Sequence, residues 1–271
     1  FWTSGIIKTA SFIDEKTFKK KLIMKINRLF VGIVLSICAL GSAPAAAQDG
    51  DQILDGIGET GLISRYQFKG DVRDWSRNNL HGIMQGTDFR FVPDSLFGNV
   101  LAISGESETY ISIPSEAVSG EESLTISGWI YLRSAKSGQV FFDFGKSDKS
   151  HFFAAPAGTK DKPGLQTALV AGSQVYTTSY DAVPLNKWCH LAVVVDIPAK
   201  TMSTYLNGVL AVEVKDVALD LSQLFDTDSE KNNQLYIGKS IGGENAFLNA
   251  KLSDFRIYRI PLTQRQIGRI Y

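Results

Sequence analysis

Residues 187–214 constrain the fold more than any other part of the chain. Every second side chain of the first run is apolar: Cys189, Leu191, Val193 and Val195. This period of two is typical of a strand with one face toward a core. A turn signal follows at residues 198–200, and Asn207-Gly208 separates two further apolar runs. Asn-Gly favours a type I′ turn, in which both central residues need positive φ. The segment therefore predicts three consecutive antiparallel strands.

Similar short runs recur along the chain, separated by Gly, Asp, Lys and Pro. They cover residues 62–68, 100–103, 110–113, 123–133, 139–144, 151–154, 165–170, 174–180, 234–238 and 251–260, whereas residues 70–86 are polar and loop-like. Many closely spaced strands with little helical periodicity predict an all-β protein, an antiparallel β-sandwich. One short C-terminal helix is predicted by the capping box of Thr263 and Gln266, with Ile267 and Ile270 on one face.

The N-terminal part has the pattern of a secretory signal peptide. Met24 is the first methionine, a basic region with Lys25 and Arg28 follows, and residues 29–40 are apolar. The small residues up to Ala47 resemble a cleavage site, so we predict a signal peptide over residues 24–47 with cleavage near Ala47. Twelve apolar residues are too few for a membrane span, which needs about 20. A lipoprotein would use Cys38, preceded by the bulky Ile37, and is the disfavoured alternative.

These features predict a simple domain organisation. Residues 1–23 are interpreted as a non-native upstream read, residues 48–60 as a linker, and residues 61–271 as one domain. Residues 1–47 hold seven of the 28 basic and two of the 28 acidic residues, which leaves a net charge of −5 beyond them. A mildly acidic domain does not bind nucleic acid by electrostatics. Cys189, on its apolar face, is predicted to be a buried, inert thiol.

Three patterns that resemble catalytic or binding motifs have simpler explanations. Residues 56–61 match GxGxxG, but a strand follows them where the dinucleotide fingerprint requires a helix. Residues 238–242 match GxSxG, but no histidine follows His190 in the sequence, so a turn is predicted. Asp226, Asp228 and Glu230 are predicted to lie in a solvated loop, with a calcium loop or a catalytic set as alternatives. The histidines have no metal-ligand spacing.

Several segments in order resemble laminin-G-like domains of the concanavalin A-like lectin/glucanase superfamily. The segments are residues 62–82, 124–130, 188–208, 235–240, 247–259 and 262–271. The resemblance implies a jelly roll of two antiparallel sheets. It also implies a carbohydrate-binding role, or that of an accessory module in bacterial polysaccharide-degrading enzymes. Related family 16 hydrolases carry Glu-x-Asp-x-Glu or a one-residue-longer variant, and Glu106-Ser-Glu108 and the Asp226 cluster depart from that pattern.

The resemblance also implies candidate site residues. Relatives often hold one structural Ca²⁺, and Asp254 matches their aspartate, with Gly105 and Asp71 as weaker matches. The alternative role of Asp254 is a strand cap or an ion pair with Arg256 or Arg259. A sugar site needs aromatic platforms beside hydrogen-bonding groups. The candidates on loops or strand ends are Trp75, His151, Tyr176 and Tyr180, each with packing as its alternative role.

Three functions follow as hypotheses. The first is a secreted or periplasmic, non-catalytic module that binds a polysaccharide or glycan. It is expected to be the N-terminal part of a glycoside hydrolase whose C-terminal catalytic domain lies outside this chain. The second is a structural or protein-binding laminin-G-like domain. The third is a stand-alone glycoside hydrolase, which lacks a recognisable carboxylate pair.

Overall fold

A computed structural model of the chain describes residues 60–118, 120–227, 233–242 and 246–271, all of which belong to one compact unit over residues 51–271. The strands are β1 (Leu62–Tyr66), β2 (Ile83–Gln85), β3 (Phe89–Asp94), β4 (Gly98–Ile103), β5 (Tyr110–Ile113), β6 (Ser123–Leu132), β7 (Phe142–Ser147), β8 (Ser150–Ala155), β9 (Gly158–Thr159), β10 (Lys162–Pro163), β11 (Leu165–Ala171), β12 (Gln174–Tyr180), β13 (Trp188–Asp196), β14 (Thr201–Leu206), β15 (Val209–Lys215), β16 (Gln234–Ile237) and β17 (Ala250–Tyr258). One α-helix, α1 (Gln264–Ile270), follows them, and short 3₁₀ turns cover Ser115–Val118 and Leu221–Gln223.

The strands form two antiparallel sheets packed face to face. The first sheet has the order β15-β14-β13-β6-β17-β4-β3, with β1 also paired to β17. The second sheet has the order β12-β11-β8-β7-β16-β5-β2, and β9 and β10 form a small hairpin of their own. Most neighbours are distant in sequence, because the chain crosses repeatedly between the sheets. The predicted antiparallel β-sandwich of the jelly-roll type is confirmed.

The predicted three-strand meander is formed by β13, β14 and β15. Asn207 and Gly208 have φ values of 52° and 78°, as a type I′ turn requires. The alternating apolar side chains of β13 are buried in the core: Cys189, Leu191, Val193 and Val195. His190 lies on the opposite face, against Trp129. Cys189 is a buried free thiol whose pKa is raised by burial, as expected of an inert cysteine.

The core between the sheets is rich in phenylalanine. Phe142 contacts Phe152 with ring centroids 4.9 Å apart, and Phe141 contacts Phe255 at 5.3 Å. Gly128 of β6 faces the same cluster, because a Cβ there would lie 3.0 Å from the Phe141 ring. Such packing explains why a glycine occupies the middle of a long buried strand. The two sheets are therefore held at a separation set by aromatic side chains.

The predicted C-terminal helix is confirmed as α1. Thr263 and Gln266 form the capping box, in which the Gln266 N–H donates to Thr263 Oγ1. Ile267 and Ile270 pack on the outer face of the first sheet, against Val194 and Tyr258 among others. The described residues contain no helix long and apolar enough to cross a membrane. The predicted signal peptide and most of the predicted linker lie outside the described residues.

Two parts of the fold differ from the sequence-based expectation. Residues 83–85, predicted as loop, form β2, and Phe89–Asp94 forms the edge strand β3. Both are edge strands with mixed burial, so neither shows the apolar alternation of a buried strand. The predicted strand at residue 139 starts later, at Phe142. There Gln139 instead uses its side-chain oxygen to accept from the Asn249 N–H, 2.9 Å away.

Candidate functional site

Aromatic and polar side chains share the outer face of the second sheet. Tyr236 of β16, Asp143 of β7 and Phe153 of β8 are direct partners across neighbouring strands. Ser112 of β5 continues this row on the other side of Tyr236. Residues in register across a sheet point to the same side. The row therefore crosses the middle of one surface, opposite the face that packs into the core.

A groove of about 570 Å³ follows β16 on this face. It is lined by Ser112, Ile113, Lys146, Asn233, Gln234, Leu235 and Tyr236. The Tyr236 hydroxyl donates to Gln234 Oε1 at 3.3 Å. Lys146 is the one charged lining residue, and its ammonium lies 3.6 Å from Asp226. The groove thus offers a ring, amide groups and a hydroxyl, but no carboxylate among its lining side chains.

Tyr236 lines the groove and Tyr110 lies beside it, and we call these two residues the tyrosine pair. Their ring centroids are 5.1 Å apart in an edge-to-face arrangement. The Lys239 ammonium lies 4.4 Å from the Tyr110 centroid and 4.8 Å from that of Tyr236. Burial raises the pKa of Tyr236, and Lys239 opposes the shift only in part. Tyr236 therefore presents a neutral aromatic ring at neutral pH.

A fully buried carboxylate anchors the loop that carries Lys239. Asp143 accepts hydrogen bonds from His151 Nδ1 at 2.7 Å, Ser240 Oγ at 3.1 Å and the Ile241 N–H at 2.8 Å. Three donors satisfy the charge that burial would otherwise penalise. Ser240 is the serine of the GxSxG pattern, and its hydroxyl contacts a carboxylate rather than a histidine. Residues 238–242 form an irregular loop with bends after β16.

Among the described residues, the strands of the second sheet place no pair of carboxyl groups on its outer face. Asp143 is the one carboxylate on the outward-facing positions of its strands, and it is already saturated with donors. Glycoside hydrolysis requires two carboxyl groups about 5–10 Å apart across the scissile bond. Of the acidic cluster predicted to be a loop, Asp226 pairs with Lys146. Asp228 and Glu230 lie outside the described residues.

The structure does not bring the four predicted sugar-site residues together. His151 lies on the outer face of the second sheet, beside Asp143 and Phe153. Tyr176 is half-buried against the core, and its hydroxyl accepts from the Ala218 N–H at 3.1 Å. Tyr180 is 41% exposed at the end of edge strand β12, and Trp75 is 57% exposed in the loop after β1. His151 alone belongs to the surface that carries the groove.

Tyr236, which lines the groove, and its neighbours Tyr110 and Lys239 were not predicted from the sequence. A signal for Tyr236 exists, because it alternates with Leu235 and Ile237, which are buried. That alternation places Tyr236 on the outer face of its strand. The sequence does not indicate that β5 is its neighbour, so the pairing with Tyr110 could not be predicted.

The residues predicted to bind calcium do not fit that role. Both carboxylate oxygens of Asp254 accept from guanidinium groups, Oδ1 from Arg65 at 2.5 Å and Oδ2 from Arg256 at 2.7 Å. Burial opposes ionisation of Asp254, but the two arginines outweigh it and lower its pKa to about 2. A cation would be repelled by both guanidiniums. The ion pair with Arg256, named above as an alternative, is present.

The other two predicted calcium ligands contact different segments. Gly105 packs against the Phe247 carbonyl and Asn249, and Asp71 accepts from the Arg73 N–H. No group of three or more His, Cys, Asp or Glu side chains is placed to hold a metal within the described part of the chain. His190 is 2% exposed, and burial lowers its pKa to about 3. It packs against Trp129.

Fold and surface together define a class: a lectin-like jelly roll with a shallow groove on one sheet. Residues 105–268 match a family model described as the concanavalin A-like lectin/glucanases superfamily, and the chain belongs to that family. Among curated proteins, usherin of Mus musculus is 25% identical over 202 residues, which cover 71% of this chain and 4% of usherin. The chain thus spans a small fraction of that relative.

Solved structures share the fold. Domain 4 of AbnA, a GH43 extracellular arabinanase from Geobacillus stearothermophilus in complex with arabinotriose, has a TM-score of 0.62 at 20% identity. The similarity covers 76% of this chain and 96% of that one. The binding domain of Paraclostridial Mosquitocidal Protein 1 has a TM-score of 0.58 at 17% identity, with 78% and 51% covered. The botulinum neurotoxin serotype C1 binding domain has 0.56 at 21%, with the same coverage. These identities indicate a common fold alone.

Proposed function

We propose that this protein is a secreted, non-catalytic module that binds a polysaccharide chain in the groove along β16. The observation that carries the proposal is the tyrosine pair at the edge of that groove. Tyr236 is half-buried and held by Gln234, so its ring is a fixed platform. A fixed aromatic surface beside amide and hydroxyl groups is the usual composition of a small-molecule site.

Binding follows from the two chemical sides of a sugar. The apolar C–H face of a pyranose or furanose ring packs on the tyrosine pair, and burial of that area stabilises the complex. The hydroxyl groups exchange hydrogen bonds with Gln234 and Ser112, which line the groove. An open groove on a sheet surface suits an internal segment of a long chain, because both ends continue past it.

The comparisons support this proposal by analogy. The arabinanase domain was solved with arabinotriose and has the same fold. Its parent is an extracellular enzyme, which agrees with the predicted signal peptide over residues 24–47. We propose by the same analogy that this module belongs to a longer glycoside hydrolase. Sequencing of the reading frame beyond residue 271 tests that part directly.

Affinity electrophoresis of the purified protein in gels containing single polysaccharides tests the binding. The gel series comprises arabinan, arabinoxylan, β-glucan and homogalacturonan. We expect Tyr236→Ala to weaken retention by at least about tenfold, since truncating an anchoring aromatic costs about 2 kcal/mol or more. Tyr180→Ala and Trp75→Ala, which remove exposed aromatic rings elsewhere, are the matched controls. A reduced retention in either control, with Tyr236→Ala unchanged, would move the site to the residues predicted from sequence.

Protein binding is the second candidate function, favoured by the outer face of the first sheet. Phe97, Trp129 and Tyr271 form an aromatic row there, with centroid distances of 5.2 Å and 5.4 Å. Leu96, in the turn between β3 and β4, and Val209, at the start of β15, are exposed to 62% and 63%. Exposed apolar patches mark protein interaction sites. If protein binding is the function, we expect that the protein is not retained by any glycan. We also expect that Leu96→Ser no longer captures a protein partner that the wild type captures.

A further inference from the structure

We propose that the groove selects polysaccharides carrying carboxylate groups, such as uronic acid chains, and that Lys239 is its specificity-determining residue. This inference rests on the proposed function, since it names the ligand class of the same groove. It is carried by the position of one ammonium group over both rings of the tyrosine pair.

Hydrogen bonds of the residues before and after Lys239 fix the backbone of the loop that places Lys239 over the tyrosine pair. Before it, the Gly238 N–H donates to the Phe141 carbonyl at 3.2 Å, and Gly238 has a φ of 86° that favours glycine. After it, Ser240 and Ile241 donate to the buried Asp143. A short loop fixed at both ends restricts where the lysine side chain can go. The cation is therefore part of the site rather than a freely moving surface charge.

The charge of Lys239 has no acidic counterpart among the described residues. No carboxylate in the described ranges lies within ion-pair distance of its ammonium. The cation that lines the groove, Lys146, is already paired with Asp226 at 3.6 Å and donates to the Ser222 carbonyl. The groove lining contributes no carboxylate. The charge that remains available to a ligand is thus the one above the aromatic platform.

This position makes the site discriminate between acidic and neutral chains. A neutral sugar that stacks on the tyrosine pair has to displace the ammonium and lose its attraction to the two rings. A uronate keeps the ammonium in place, because its carboxylate accepts a charge-assisted hydrogen bond while its ring packs on the aromatic edge. The same residue therefore opposes one ligand class and favours the other.

Isothermal titration calorimetry with polygalacturonate and its fully methyl-esterified form tests this selection, since the two polymers share one backbone. We expect the wild type to bind the acid form about tenfold more tightly, the scale of one charge-assisted hydrogen bond, with a difference that shrinks as salt rises. Lys239→Gln is expected to reduce the difference to less than about twofold. Lys251→Gln, which removes an ammonium 4.7 Å from the Tyr131 ring on the first sheet, is the matched control.

The outcomes separate this inference from the proposed function. A preference for the acid form that persists in Lys239→Gln, or disappears equally in Lys251→Gln, would overturn the role of Lys239. Equal binding of the two polymers by the wild type, or Tyr236-dependent binding of neutral chains alone, would overturn the acidic selectivity and leave glycan binding intact. Absence of binding to every polysaccharide, neutral or acidic, would remove both. Melting temperatures of all variants establish that each is folded.

Discussion

Replacing Asp143 by alanine is expected to destabilise the second sheet and release the loop that carries Lys239. The carboxylate is fully buried and accepts three hydrogen bonds. Truncation leaves His151 Nδ1, Ser240 Oγ and the Ile241 N–H without their acceptor. A buried donor left unpaired costs about 1–3 kcal/mol. Only His151 is buried, while Ser240 and Ile241 are half-buried and gain water in exchange.

The free energy of unfolding is therefore expected to fall by about 2–4 kcal/mol. This sum is the full cost of one unpaired buried donor and part of that cost for each of the two half-buried donors. For a domain of roughly 200 residues, each kcal/mol lowers the melting temperature by about 2–4 °C. The Asp143→Ala protein should thus melt about 4–16 °C below the wild type. Asp143→Asn keeps one acceptor oxygen and is expected to lie between the two.

Urea unfolding followed by tryptophan fluorescence, together with calorimetry, measures these differences. Asp148→Ala, in the exposed turn between β7 and β8, removes a carboxylate without removing a buried acceptor. If Asp143→Ala and Asp148→Ala unfold at the same urea concentration, the three hydrogen bonds do not stabilise this protein. Loss of the preference for polygalacturonate in a folded Asp143→Ala protein would link the same network to Lys239.

Three further predictions concern the first sheet and the core. Gly128→Ala should lose about 1–3 kcal/mol of stability by urea unfolding, because its Cβ would lie 3.0 Å from the Phe141 ring. Burial lowers the pKa of His190 from 6.5 to about 3. Between these two pH values, His190 is therefore protonated only in the unfolded protein. Stability should therefore fall with decreasing pH by at most about 1.4 kcal/mol per unit, a slope that His190→Gln flattens. Chelator should leave the melting temperature unchanged, whereas Asp254→Asn should lower stability by about 3 kcal/mol because Arg65 and Arg256 lose their partner. A chelator-induced decrease of the wild-type value would restore the calcium prediction.

The parts of the fold that local chemistry determines could be predicted from the sequence. Asn207-Gly208 specifies a turn by its φ angles, and Thr263 with Gln266 specifies the start of α1, since both signals act within four residues. Edge strand β2 gives no such signal, because Ile83 is 60% exposed and the three residues do not alternate.

The candidate site depends on strand order, which local pattern does not contain. Tyr110 and Tyr236 meet only because β5 and β16 are neighbours in the second sheet. Asp254 was expected to bind calcium, yet it contacts Arg65 at a sequence separation of 189 residues. Short-range signals indicate which residues face outward. They do not indicate which distant residues share the same surface.

The position of β17 in the first sheet has a consequence for how the protein is made. This strand lies in the interior of the sheet, where it pairs with β6, β4 and β1, yet all sixteen other strands of the described residues precede it. During synthesis, one edge of β6 therefore stays unpaired until almost the whole domain has been made. Such long-range pairing slows folding. A chain that cannot close its central sheet early leaves one edge of β6 unpaired for longer.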